Sequence, residues 1–239
     1  MERKMVFPPD VVFFRNLMLQ RTNILANIGG QAPLAQWMET GATEPIDLLY
    51  ADAKKRAIAL FQAESDYRQD AVQLLAILPT TDLAGVVSIG PGNGLLELLL
   101  MQHLNGNAQL LLIDIEQSDS HHHGFHNQGA GYASLRSTID FLAINGIEQS
   151  RAIGCNPLNE PIPNFEFDLL ISILSMGFHY PCDDYVNYMI NFCAPNGMIV
   201  MDKRIGSQDQ GFSLLLDSGF NVVRKIDFQK YSRVLLQRI

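Results

Sequence analysis

Five residues constrain this chain more than any others: Gly90-Pro91-Gly92-Asn93-Gly94, set between an apolar run at 85–89 and a helical pattern at 94–103. The glycines let the backbone turn sharply and let a ligand approach it closely. A helix starting just beyond them offers free backbone N–H groups at its N-terminus. A loop of this kind belongs at the carboxyl end of a strand in an open α/β sheet, where ligands bind.

The chain beyond Pro79 fits that expectation. β-type runs at 85–89, 109–114, 151–155, 167–173 and 198–202 alternate with helical stretches at 94–103, 129–143, 183–193 and 210–218. Such alternation implies a mostly parallel sheet covered on both faces. The last two runs, 221–227 and 231–237, are joined too tightly for a crossover and predict an antiparallel hairpin at one edge. Before Pro79, apolar residues recur at helical spacing over 11–28, 46–63 and 67–77, the last behind Ser65 and Asp66 as caps. Breaks at Gly29-Gly30 and Gly41 separate these pieces. The expected architecture is an α/β, Rossmann-like, seven-stranded and mostly parallel sheet over 80–239 with an antiparallel terminal hairpin, preceded by a helical cap over 1–79.

Composition narrows the partners. Of 239 residues, 47% are apolar and 18% charged, an ordinary globular balance, and the net charge of -8 argues against a general grip on nucleic acid. The basic clusters are short, Arg3-Lys4 and Lys54-Lys55-Arg56. Cys155, Cys182 and Cys193 are scattered and odd in number, so neither a disulfide framework nor a zinc-type pair is expected. The N-terminal apolar run is broken by Pro8 and Pro9 and makes a poor signal peptide, and no apolar stretch is long enough to span a bilayer. The expectation is a cytoplasmic protein acting on a small molecule, without a membrane or nucleic-acid partner, whose N-terminal helices offer a route to homo-oligomers.

Loop spacing separates cofactors. A dinucleotide site reads G-x-G-x-x-G, whereas position 95 here is Leu95. Asp114 ends the second run, 24 positions after Gly90, close to the offset at which a strand-end acid meets ribose hydroxyls. Glu116 is the reserve for that role, and a solvated turn acid is the competing reading of Asp114.

The pattern G-x-G-x-G after a strand, with GAGYASL from Gly129 and SMGFHYP from Ser175, resembles SAM-dependent methyltransferases of the Rossmann-like seven-strand type. Within them it is similar to bacterial sugar and small-molecule O-methyltransferases, over about residues 80–239. The resemblance implies S-adenosyl-L-methionine as cofactor, wrapped by Gly90, Pro91, Gly92, Asn93 and Gly94. Where the family carries an acid two positions before the first glycine, this chain has Ser88, which can hydrogen-bond but bears no charge. Cys155 and Asn156 fall where the family often places a polar partner for the adenine amino group; a plain turn before Pro157 is nearly as good a reading. Ser172 and Ser175 fall near the methionine end.

The acceptor side is read from the strand ends. His179, beyond the fourth run, is a candidate general base for a hydroxyl, with Phe178 and Tyr180 framing an organic substrate. A loop histidine packed among aromatics is the competing reading. Asp202 ends the fifth run, placed to meet either the substrate or a loop, and is the second catalytic candidate; Lys203 and Arg204 are read as anion-binding or as plain surface charges. Four histidines, His121, His122, His123 and His126, match no standard metal-ligand spacing even with Asp119 added, so the segment reads as a lid and no metal is expected. The leading function is methyl transfer to a hydroxyl of a small molecule such as a sugar. The alternatives are N-methylation of a small amine or protein side chain, and a non-catalytic SAM-binding module, favoured by Ser88. An Asn/Asp-Pro-Pro-Tyr signature is absent, which argues against base methylation.

Overall fold

The computed structural model describes residues 4–78, 83–104, 107–116, 121–122, 125–207 and 209–239. Five helices come first: α1 (Val11–Gln20), α2 (Thr22–Gly29), α3 (Ala32–Thr40), α4 (Glu44–Ala51) and α5 (Ala53–Leu75). The expected single helix over 11–28 is broken at Arg21, whose backbone leaves helical geometry and whose side chain runs to Asp70 on α5. Asp52 starts α5 by accepting from the backbone N–H groups of Lys54 and Lys55. The helix then runs unbroken past Ser65 and Asp66, which do not act as caps.

The remaining elements alternate as β1 (Gly85–Ile89), α6 (Leu95–His103), β2 (Gln109–Ile113), α7 (Leu135–Ile144), β3 (Ala152–Cys155), β4 (Phe167–Ser172), β5 (Ser175–Tyr180), α8 (Val186–Phe192), β6 (Cys193–Arg204), α9 (Gln210–Asp217), β7 (Phe220–Asp227) and β8 (Tyr231–Arg238). Seven strands form one sheet in the order β3-β2-β1-β4-β6-β8-β7. Pairing is parallel from β3 through β6, and β8 pairs antiparallel with both β6 and β7. The fold is therefore α/β, Rossmann-like and mostly parallel, with an antiparallel terminal pair. β5 stands outside this sheet as a short extended arm after β4.

Side chains alternate across the strands with period two, and the two faces are covered by different helices. Val86, Leu110, Leu112, Leu169 and Ile171 share a core with the N-terminal helices, α6 and α7. Val87, Leu111, Ile113 and Leu170 point the other way, into a core with α8 and α9. Burial on both faces is why these strands read as continuous apolar runs. The N-terminal helices have no separate core: Phe13, Phe14, Leu17 and Trp37 pack into the same cluster as the sheet. Among the described residues no helix is long and apolar enough to cross a membrane.

Candidate active site

Strand order reverses at β1, which pairs with β2 on one side and β4 on the other. A crevice opens at such a point beyond the carboxyl ends of the strands. Here it is a cavity of about 410 Å³, lined by the glycine loop, Asp114, residues 129–133 and the β5 arm, and roofed by Gln20, Arg21, Tyr67 and Asp70. That volume lies within the usual range for small-molecule sites, roughly 300–1,000 Å³.

The loop requires its glycines. Gly90 has φ of 72°, in the left-handed region, and a Cβ there would lie 1.8 Å from Ser175 Oγ. Gly92 has φ of 56°, and its Cβ would meet the Gln20 amide at 2.5 Å. The loop is also held from outside the sheet. Asn93 is buried, donates through Nδ2 to Phe13 O at 2.6 Å and accepts from Gln20 Nε2 at 2.9 Å. Thr138 on α7 donates to Gly92 O at 2.5 Å. Asn93 thus fastens the loop to α1, while Gly90, Pro91 and Gly92 line the cavity and Gly94 starts α6.

Asp114 lies in the cavity wall, and its Oδ2 accepts from Gly92 N at 3.1 Å. Burial pushes its carboxyl up to about 7, against the opposing effect of the backbone N–H groups of Gly92 and Ile115. Glu116, the reserve, accepts from Leu135 N at 2.9 Å and serves the start of α7 instead. That helix begins only at Leu135, capped by Ser134, so residues 129–133, expected to lead the helix, run without helix along the cavity.

Several predicted residues stand behind the wall. Asn156 Oδ1 accepts from Leu158 N at 3.0 Å, a local turn, and Cys155 is buried at the end of β3. Ser172 Oγ donates to Ile89 O at 2.9 Å and accepts from Met176 N at 2.9 Å, tying β4 to β1 and to the arm. Ser88 is buried and donates to Glu97 Oε1 at 2.7 Å. Glu97 lines the cavity, and burial pushes its carboxyl up to about 7.

The β5 arm brings Phe178, His179 and Tyr180 into the cavity wall. Within the arm Gly177 has φ of 85°, a left-handed conformation that favours glycine. Tyr180 OH and Ser175 Oγ are 3.0 Å apart, and the Phe178 and His179 rings meet edge to face at 4.8 Å. Arg204 also lines the cavity; it donates to Phe178 O at 3.2 Å and its guanidinium lies 5.0 Å from the Phe178 ring centre. Lys203 turns instead toward Phe212, with Nζ 5.4 Å from that ring.

Of its two expected places, Asp202 takes the one against a loop. It is 0% exposed, paired with Arg233 and bonded to Leu174 N at 3.1 Å, so it is locked beneath the arm and does not line the cavity. Of the histidines, His122 lines the cavity and its ring lies tilted against that of His126 with centres 3.8 Å apart, while His121 packs against Trp37 at 5.3 Å. The backbone N–H of His126 donates to His179 O at 2.7 Å, joining this segment to the arm. No group of three or more metal-binding side chains occurs among the described residues, from which His123 and Asp119 are missing.

The sequence reading missed the contributions of Gln20, Arg21, Tyr67, Asp70 and Lys230, which arrive from distant segments, and of Glu97. Glu97 did carry a signal: it is the sole charge in the apolar run Leu95-Leu96-Glu97-Leu98-Leu99-Leu100-Met101.

No protein-family model and no curated protein matches the sequence. Solved structures do match. A SAM-dependent methyltransferase from Aquifex aeolicus aligns at 12% identity over 74% of this chain and 98% of its own, with TM-score 0.50. The N,N-8-amino-8-demethyl-D-riboflavin dimethyltransferase RosA from Streptomyces davawensis aligns at 15% identity over 88% and 69%, with TM-score 0.51. The mitomycin 7-O-methyltransferase MmcR aligns at 14% identity over 95% and 68%, with TM-score 0.50. The last two alignments are too long for the sheet region alone and reach into the N-terminal helices. At these identities the likeness is one of architecture, and the fold of this chain is the Rossmann-like fold of those methyltransferases.

Proposed function

We propose that this protein binds S-adenosyl-L-methionine and transfers its methyl group to a hydroxyl of a small molecule, for which a sugar is the leading candidate. One observation carries the cofactor reading: two carboxyl groups, half-buried Asp114 and buried Glu97, share the wall of the glycine-loop cavity. Such a wall repels a pyrophosphate and suits a ligand that brings a cation and a diol. S-adenosyl-L-methionine has both, and its adenosine and amino-acid parts require the close approach that Gly90 and Gly92 permit. When bound, it supplies an electrophilic methyl group on a sulfonium.

The protein's own residues have separable roles in this reading. Asp114 accepts from a ribose hydroxyl while holding Gly92 N. Phe178 and Tyr180 exclude water and align the acceptor. An imidazole nitrogen of His179 takes the proton from the acceptor hydroxyl as its oxygen attacks. Arg204 fixes Phe178 through the main-chain oxygen and the ring face. The structural relatives named for O-transfer and for N,N-dimethylation share the fold; the hydroxyl reading rests on the aromatic side chains Phe178 and Tyr180 and on His179, because an uncharged hydroxyl needs a base.

Calorimetry with S-adenosyl-L-methionine, S-adenosylhomocysteine and NAD tests the cofactor. Binding of the first two is expected, and preferential NAD binding overturns the reading. Release of S-adenosylhomocysteine in the presence of a panel of sugars, phenols and amines tests the acceptor, and turnover confined to amines overturns the hydroxyl reading.

A further inference from the structure

Glu97 sits in the first turn of α6 among buried leucines and is itself 2% exposed. Its Oε1 accepts from Ser88 Oγ at 2.7 Å, but its Oε2 has no hydrogen-bond partner among the described residues. Buried polar atoms are rarely left unpaired, and an orphan oxygen in a cavity wall marks a missing partner. Among the described residues no basic side chain bonds this oxygen. Tyr67 on α5 and Asp114 just beyond β2 feel the charge of Glu97, and neither is basic. Arg21, the basic residue of the roof, is engaged by Asp70 at 2.5 Å and stacks over Tyr67 at 3.8 Å. The partner must arrive with the ligand, and it must be a donor, preferably a cation.

We propose that Glu97 is the anchor for the α-ammonium group at the amino-acid end of the cofactor, accepting through Oε2 while Ser88 holds Oε1. This assignment rests on the cofactor reading above. It divides the two acids of the wall: Asp114, at the end of β2, serves a neutral diol, and Glu97, beneath the glycine loop, serves a cation. It also explains Ser88. The strand itself offers only a hydroxyl at this point, and the charge is delivered from the neighbouring helix, oriented by that hydroxyl. Burial holds the Glu97 carboxyl near neutrality, so an arriving ammonium drives it to the ionised form.

The experiment is calorimetric titration of the full-length wild type and of Glu97→Gln with S-adenosylhomocysteine and with its analogue lacking the α-amino group. Glu97→Gln is expected to weaken S-adenosylhomocysteine by about tenfold or more, since a charge-assisted bond becomes a neutral one. The same substitution should leave the deaminated analogue within about twofold, because that ligand never makes the bond. Equal losses for both ligands, or no loss for either, overturn the assignment and leave Glu97 a structural residue. Failure of the wild type to bind either ligand overturns the cofactor reading itself. Should Glu97→Gln not fold, the wild type alone decides: S-adenosylhomocysteine should release more protons near pH 7 than the analogue, read from binding enthalpies in buffers of different ionisation heat. Equal release overturns the proposal.

Discussion

Arg233 grips Asp202 at two points, Nε to Oδ1 at 2.8 Å and Nη2 to Oδ2 at 2.9 Å, with both side chains withdrawn from water. The pair faces itself across the antiparallel register of β6 and β8. Asp202 Oδ2 also accepts from Leu174 N, directly before the arm that carries His179. Removing one partner strands a buried charge, a loss of about 3–5 kcal/mol. Asp202→Ala should therefore lower the denaturation midpoint strongly, whereas the double variant Asp202→Leu with Arg233→Met should recover much of that loss. Urea unfolding curves of the three proteins measure it, and an Asp202→Ala protein as stable as wild type would show that the pair is not structural.

Asp114→Ala should weaken S-adenosyl-L-methionine, with each lost bond to the ionised acid worth on the order of 1.5–3 kcal/mol. The support of Gly92 N is lost in the same variant. Glu116→Ala should leave cofactor affinity nearly unchanged, because its carboxylate is spent on Leu135 N. Calorimetry on both variants separates the two acids, and the reverse ranking would move the ribose role to Glu116.

His179→Ala should reduce turnover by ~10²–10⁴-fold with cofactor affinity intact, the usual contribution of a general base. An effect confined to the acceptor's KM would make His179 a binding residue. No effect on either constant would make it a packing partner of Phe178, which it meets edge to face.

Gly90→Ala should abolish measurable cofactor binding. The new methyl would meet Ser175 Oγ, and φ of 72° is costly for an L-residue, about 1–2 kcal/mol. Adding Ser175→Gly removes the clash but not the backbone strain, so partial recovery is expected. Full recovery in titrations of the double variant would assign the whole effect to the serine.

The buried acids set a pH dependence. Glu97 and Asp114 both sit near 7 in the folded, ligand-free protein, above the unfolded values of roughly 4. The folded state thus holds protons that the unfolded state has released. Their contribution to stability is full below about pH 4 and is lost as pH rises through about 7. Thermal melting of wild type and Glu97→Gln should differ least near pH 4 and diverge progressively as pH rises to about 7, with the glutamine variant the more stable when ligand-free. Ligand affinity should run the other way and increase through the same range. Parallel melting profiles for the two proteins would contradict the placement of Glu97.

The features legible in the chain were those written locally. Period-two and period-3.6 apolar spacing, glycine at left-handed positions and an acid at a strand end each depend on residues within one turn or one strand. The alternation after Pro79, the glycine loop and the position of Asp114 in the cavity wall were all determined in this way. What only the tertiary structure decided was partnership. Asn93 belongs to Gln20 at a separation of 73 residues, Asp202 to Arg233 at 31, and Asn156 to its own turn. The two strand-end acids Asp114 and Asp202 look alike in sequence, yet one lines a cavity and the other closes an ion pair beneath the arm. The difference lies in which helix or strand packs against each, and long-range packing leaves no mark on the local spacing of either acid.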